Sequence, residues 1–248
     1  RHSITKMSKW HFVSTKEYKK RVIQLGEIPK NVHLVGALAY EAIKSEILYS
    51  KKLFEKETNL KLRKNNFLIT FHPETSSNNF EMNTFENMIN AVKKVKNSTI
   101  IFTLSNADAQ GGEINKKIIE FVKKNKAHSI FFYSMGQKLY YSALKHCNIV
   151  LGNSSSGIIE APYFFTPSVN IGDRQAGRVS AKSVLNSKRD QLSITKAINK
   201  VIKLNSKSDR SVYYNPYGKL NSSRKILDIL KTVELNNNNT KKLFFDIN

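Results

Sequence analysis

Short runs of β-branched and aromatic residues alternate along this chain with longer stretches whose apolar positions recur every three or four residues. The short runs read as strands: "HFVST" (11–15), "VHLVG" (32–36), "FLITF" (67–71), "TIIFTL" (99–104), "SIFFY" (129–133), "NIVLG" (148–152) and "SVNIG" (168–172). The amphipathic stretches predict helices over about 15–25, 39–62, 80–96, 112–125, 136–146, 157–165, 190–203 and 222–232. Crossovers of this length join parallel strands. The predicted fold class is therefore α/β, a doubly wound parallel sheet covered by helices on both faces.

The pattern also places boundaries. Residues 1–36 hold two strands and one helix, too little to bury a core of their own. From Ala37 a long helix leads into five strands that can form a sheet alone. The chain does not begin with methionine and opens on a helix-like run, so it is expected to be a piece of something longer. Its end, "ELNNNNTKKLFFDIN", reads as a flexible asparagine spacer with a basic, apolar tip.

Composition narrows the class of partner. With 248 residues, 40% of them hydrophobic, the chain can bury an ordinary globular core. No run reaches the roughly 18 apolar residues of a membrane helix, and "RHSITKMSKW" lacks the apolar centre of a secretory leader. No membrane partner is expected, and the cytoplasm is the expected location. The single cysteine, Cys147, can form no internal disulfide and reads as a small buried hydrophobe. The net charge of +22 raises nucleic acid as a partner. However, the lysines of "KEYKKR", "AVKKVK" and "KKIIEFVKKNK" are interleaved with apolar residues at helical spacing, which makes them the solvated faces of separate helices. No nucleic-acid partner is expected. No His/Asp/Glu spacing suits a metal, and neither a GxGxxG stretch nor a Walker motif is present, so neither metal nor cofactor is expected.

In open parallel sheets ligands bind just beyond the carboxyl ends of the strands. The residues in those places are "HPET", "SNADAQGG", "SMG", "NSSSG" and "DRQAGR". They bring His72, Asn106, Asp108, Ser134, Ser154 to Ser156, Arg174 and Arg178 to one edge. One such loop would reflect solvent exposure alone; five on one edge suggest a polar ligand. The serine loop joins a strand to a helix start, where unpaired N–H groups and the positive end of the dipole attract anions. Ser154 and Ser155 would add donors, and Gly157 would let the backbone approach the anion. An ordinary N-cap explains one serine of the three. Glu160, one turn further on, either favours the dipole or accepts a ribose diol with its two oxygens. Arg174 and Arg178 suit a diphosphate or a partner carboxylate.

With those residues in place, the chain resembles the hydrolysing UDP-N-acetylglucosamine 2-epimerases of sialic and legionaminic acid synthesis. The stretches that carry the resemblance are "RHSITKMSKWHFVST", "RVIQLGE", "VHLVGAL", "HPET", "SNADAQG", "GNSSSGIIEAP", "TPSVNIGDRQAGR" and "NPYG". They span nearly the whole chain, and the serine loop followed by "GDRQAGR" is the most specific of them.

The resemblance implies a glycosyltransferase-B-like pair of Rossmann-like domains. Residues 1–36 would be the tail of the first and 37–220 the nucleotide-binding second, while 221–248 would carry a helix that crosses back and a flexible tail. It implies a UDP-sugar substrate, and a homo-oligomer is expected of the full-length protein. Carried over by motif, His72 and Asn106 would face the nucleotide or its phosphates, and the Ser134–Met135 backbone the uracil. Ser154 and Ser155 would hold the diphosphate, Glu160 the ribose, and Arg174 would complete the pocket. His11 is the catalytic candidate, set against a reading as a packed histidine at a strand start. The other acid–base groups of the family are carboxylates expected upstream of "RHSITKMS". The alternatives are a non-catalytic nucleotide-sugar-binding module and a glycosyltransferase of the same architecture.

Overall fold

The computed structural model describes residues 2–74, 78–105, 111–205, 210–218, 221–233 and 242–246. Its strands are β1 (His11–Val13), β2 (Val32–Leu34), β3 (Asn65–Thr70), β4 (Ser98–Thr103), β5 (Ser129–Phe132), β6 (Ile149–Gly152), β7 (Ser168–Ile171) and β8 (Val184–Ser187). The first seven are those expected from the apolar runs. The eighth, in "SVLNS", was not expected: with two apolar residues it carries little signal, and pairing with β7 makes it a strand.

The chain divides into two compact units, one of Arg1–Ser45 with Pro216–Asn248 and one of Glu46–Asn215. Residues 37–45 and 216–220, expected with the second domain, group with the first unit, and so do 221–248. In that unit β1 and β2 pair in parallel around the helix Lys16–Gln24, whose N-cap, Thr15, accepts from the Tyr18 N–H at 3.0 Å. The far end of the chain completes it. The Ala37 N–H donates to the Tyr217 carbonyl at 2.9 Å, and Ser222 Oγ, at the start of the helix Ser222–Lys231, donates to the Val35 carbonyl at 2.9 Å.

The larger unit is a six-stranded, wholly parallel sheet in the order β5-β4-β3-β6-β7-β8. The chain runs outward through β3, β4 and β5, then returns to the other side of β3 with β6 and proceeds to β7 and β8. The order therefore reverses between β3 and β6, and a crevice is expected beyond the carboxyl ends of these two strands. Residues of one strand parity, such as Phe67, Ile69, Phe102, Leu151 and Ile171, build the main core with the helices Asn78–Lys93, Gly111–Lys124 and Gln191–Asn205. The other parity, with Leu68, Ile101 and Val150 side by side across β3, β4 and β6, is equally buried on the opposite face. Helices Lys51–Thr58 and Gly136–His146 pack together there. Burial on both faces makes these runs apolar throughout.

Two predicted helices change form. The stretch 39–62 is not one helix but two, Ala39–Ser45 and Lys51–Thr58. Between them the backbone of Tyr49 is held by other partners: its N–H donates to Ser142 Oγ at 3.0 Å and its carbonyl bonds His146 Nε2 at 2.8 Å. Ser50 then caps the second helix by accepting from the Leu53 N–H. The stretch 157–165 is one α turn, Ser156–Ile159, followed by a 3₁₀ turn, Ala161–Phe164. Pro162, which lacks an N–H and crowds the carbonyl four residues back, ends the α ladder. The asparagine run expected as a spacer, 236–239, lies outside the described residues.

Candidate functional site

At the reversal point the backbone itself is specified. Gly152 ends β6 with φ of 131°, and a Cβ there would collide with the carbonyl oxygen of Thr70 at the end of β3. Only glycine fits this close approach. The next residue, Asn153, is 1% exposed and acts as a bracket. Its Nδ2 donates to the His72 carbonyl at 2.7 Å and its Oδ1 accepts from the His72 N–H at 2.8 Å. Its own carbonyl accepts from Arg174 Nη1 at 3.0 Å and from Gln175 Nε2 at 2.8 Å. Thus one asparagine fixes the loops after β3, β6 and β7 against one another.

Beyond it opens a cleft of about 390 Å³ whose lining includes Ser134, Met135, Ser154, Ser155, Ser156 and Glu160. Its floor is the ends of β3 and β4, where the hydroxyls of Thr70 and Thr103 meet at 2.5 Å. Ser134, Met135, Ser154 and Ser155, on the edge the sequence indicated, and Glu160, one turn further along the chain, thus come together. Ser154 Oγ accepts from the Ser156 N–H at 3.4 Å, and Ser155 is the residue before the α turn, with no capping bond from its side chain. Ser156 is engaged elsewhere: it is buried and accepts from Tyr140 Oη at 2.7 Å. The three serines have different work: Ser156 is bonded to Tyr140, while Ser154 and Ser155 line the cleft.

The electrostatics of the cleft follow from this packing. Burial pushes the Tyr140 phenol up to about 12, outweighing the bond to Ser156 that lowers it, so it is a neutral donor. Burial likewise raises the Glu160 carboxyl above its ordinary value, against a smaller opposing effect from the Ser156 hydroxyl. Glu160 is therefore a strong acceptor for hydroxyl hydrogens once ionised.

Other expected residues lie differently. His72 and Arg174 stand beside this cleft, attached through Asn153, rather than in its lining. Arg178 lines a separate, larger cavity of about 950 Å³ and not the cleft, which removes it from the expected diphosphate contacts. Gly157 does not face an anion. A Cβ on it would sit 3.5 Å from Ser168 Cβ and Val150 Cγ1, and its carbonyl accepts from Ser168 Oγ at 2.6 Å, so its bare face packs on the sheet. The short α turn also supplies much less dipole than the expected nine-residue helix, leaving local N–H groups and hydroxyls as the donors. Asn106 lies outside the described residues.

In the other unit, His11 is 7% exposed and its Nε2 bonds Glu27 Oε2 at 2.9 Å. Glu27 also pairs with Lys6 at 3.0 Å and Lys242 at 2.7 Å. Burial pushes its carboxyl up, but the bonds from Lys242, Lys6 and His11 together hold it below the ordinary value. Asn153, Tyr140 and Glu27 were not singled out from the sequence. Position offered a signal only for Asn153, between the glycine that ends β6 and the serines.

Among the described residues no helix is long and apolar enough to cross a membrane, and no group of His, Cys, Asp and Glu could hold a metal. Comparison with known proteins places the fold and its kin. A Campylobacter jejuni protein described as GDP/UDP-N,N'-diacetylbacillosamine 2-epimerase (hydrolyzing) is 41% identical over 192 residues, 77% of this chain and 50% of that protein. The Escherichia coli polysialic acid biosynthesis protein P7 is 38% identical over 253 residues, 100% of this chain and 63% of that one. The chain thus spans between half and two thirds of these curated relatives.

Among solved structures, Neisseria meningitidis UDP-GlcNAc 2-epimerase bound to UDP-GlcNAc matches with a TM-score of 0.68 at 19% identity, over 92% of this chain and 62% of that one. Staphylococcus aureus MnaA with UDP matches with a TM-score of 0.72 at 17% identity, over 93% and 61%. The fold is accordingly α/β, doubly wound and glycosyltransferase-B-like. Residues 1–231 match the family described as UDP-N-acetylglucosamine 2-epimerase, and the chain belongs to that family.

Proposed function

We propose that this chain carries the nucleotide-binding part of a hydrolysing 2-epimerase acting on UDP-N-acetylglucosamine or a close relative, such as a UDP-bacillosamine or a GDP-linked sugar. The observation that carries the reading is the convergence of Ser134, Met135, Ser154, Ser155 and Glu160 on one cleft at the β3/β6 reversal. In it the uracil lies against the Ser134–Met135 backbone and the diphosphate against Ser154 and Ser155, while the ribose diol donates to Glu160. Arg174 and His72 border the phosphates. The descriptions of the Campylobacter and Escherichia coli relatives support a hydrolysing reaction and a role in nonulosonic acid synthesis.

The reaction has two steps. A base takes the proton from C2 of the sugar as the C1–O bond breaks, and UDP leaves with the bonding electrons, giving a glycal. Water then adds at C1 while a proton returns to the other face of C2, releasing a sugar of the N-acetylmannosamine type. Neutral and cationic donors around the diphosphate stabilise the departing charge. His11, oriented by Glu27, is the group of this chain assigned to proton transfer. No metal or cofactor enters either step. A cytoplasmic homo-oligomer of the full-length protein is part of the same reading.

Calorimetric titration of the whole chain with UDP tests it. Saturable binding, lost when Ser154 and Ser155 are both alanine, is expected; no binding by the parent chain, or equal binding by the variant, overturns it.

A further inference from the structure

Arg189 follows β8 and stands just before Asp190, whose Oδ1 accepts from the Ser193 N–H at 2.8 Å at the start of the helix Gln191–Asn205. Its backbone is anchored from another side as well, since its carbonyl accepts from Asn87 Nδ2 at 3.1 Å. From this fixed base the largely buried guanidinium reaches three further segments. Nη1 donates to Oε1 of the buried Glu81, in the first turn of the helix Asn78–Lys93, and Nη2 donates to Glu74 Oε1, in the loop after β3, at 3.1 Å. The same fork lies against the end of β7. A Cβ on Gly172 would sit 2.9 Å from Arg189 Nε and 3.0 Å from Cζ, and Gly172 has φ of 74°, so this position is closed to other residues. Asp173 also approaches Nη2, at 3.7 Å, but at 85% exposure it adds little to the hold.

Two of those segments border the candidate cleft. Asn153 ties His72 to Arg174. Arg189 brings together Glu74, two residues beyond His72, and Gly172, two residues before Arg174. A single tie leaves two loops free to pivot about it; a second tie, displaced along both, removes that freedom. The guanidinium suits this place because its planar fork can meet both glutamates while its face rests on the glycine backbone, which a single ammonium point charge cannot do. It also offsets charge. Among the described residues Glu81 pairs with no other cation, and Glu74 and Asp173 add two more carboxylates on the loops beside the serines. Left without Arg189, these acids would repel an anion in the cleft.

We infer that Arg189 is a positioning residue for the diphosphate: through Glu74 and Gly172 it holds the loops that carry His72 and Arg174 in the arrangement that receives the phosphates, without touching the nucleotide itself. This rests on the nucleotide reading proposed above. The effect belongs to the phosphates and not to the nucleoside, because the Ser134–Met135 backbone and Glu160 lie on segments that Arg189 does not join.

Ligand-observed NMR titrations of the whole chain with uridine and with UDP measure the factor by which the two phosphates tighten binding. Arg189→Lys, which keeps the charge and loses the fork, is expected to reduce that factor roughly fivefold while uridine affinity stays within about twofold of the parent. Glu74→Gln, at the more exposed end of the pair, should reduce it roughly threefold, and it decides the matter if Arg189→Lys does not fold. A role confined to stability would lower the melting temperature and leave the factor as it was. An unchanged factor in the folded variants, or an equal loss of affinity for uridine and UDP, would overturn the inference. When the parent binds UDP, either result sinks this inference alone; a parent chain that binds no UDP sinks the proposed function and the role of Arg189 with it.

Discussion

Asn153 and His72 are joined by two hydrogen bonds running in opposite directions, 2.7 Å from the asparagine Nδ2 to the histidine carbonyl and 2.8 Å from the histidine N–H to Oδ1. The pair ties the strand ends at the reversal point of the sheet, so the loops after β3 and β6 cannot move independently. Asn153→Ala removes both hydrogen bonds to the His72 backbone, and a cost of about 2–4 kcal/mol is expected in urea unfolding. Asn153→Asp, which keeps the acceptor and loses the donor, should fall between the two.

Replacing Ser154 and Ser155 singly by alanine should weaken UDP binding by about 1.5–3 kcal/mol for each charge-assisted bond lost, with little change in stability. Ser156→Ala should behave in the opposite way. It removes the acceptor of Tyr140 and so costs stability more than affinity, a contrast that calorimetry and thermal melting together can read.

Glu160 gives the cleft a pH dependence. Its carboxyl is raised by burial, so it takes up a proton at higher pH than an exposed glutamate, and the diol then loses an anionic acceptor. UDP affinity should therefore fall as pH decreases toward and through that raised value. Glu160→Gln should flatten the profile, and 2'-deoxy-UDP should show a shallower dependence than UDP. A profile identical for Glu160→Gln and the parent would remove Glu160 from the ribose.

Glu27 predicts acid sensitivity in the other unit. Its carboxyl is held below the ordinary value in the folded chain, so its contribution is full above the unfolded value near 4.5 and is lost as pH falls through the folded one. Lys242→Met removes one of its cations together with the bonds that Lys242 Nζ donates to the carbonyls of Thr5, Lys6 and Ser8 at 2.6–2.9 Å. This variant should unfold at a higher pH than the parent in an acid titration followed by circular dichroism.

Gly152→Ala should be among the most damaging small substitutions. Alanine resists a φ of 131°, and its methyl group meets the Thr70 carbonyl, so a loss above about 2 kcal/mol is expected in denaturant unfolding, together with weaker UDP binding. Gly157→Ala, where a Cβ finds ordinary contact distances, should cost less.

Most of the sheet was legible because a strand buried on both faces must be apolar throughout, and "FLITF", "TIIFTL" and "NIVLG" are. Their order was not legible. β8 is a strand only because β7 offers it partners, and the break between Ser45 and Lys51 arises where Ser142 and His146, about a hundred residues away, hold the Tyr49 backbone. The candidate cleft was partly legible: polar residues after successive strands had to gather on one edge, and Ser134, Ser154 and Ser155 did, with Glu160 joining them from the turn that follows. Which serine faces a ligand was not, because Ser156 differs from its neighbours only in meeting Tyr140.

By itself, then, the sequence determined the alternation of strands and helices, the edge on which polar loops accumulate and the kinship written in its motifs. These are local properties, set by side-chain periodicity and by turn residues. Only the tertiary structure decided that Asn153 is the fastening of three loops, that Gly157 packs on the sheet, that Arg178 belongs to a second cavity and that Glu27 gathers His11, Lys6 and Lys242. Each of those facts depends on atoms brought together from distant parts of the chain, where a hydrogen bond or a buried charge is defined by geometry that no stretch of sequence contains.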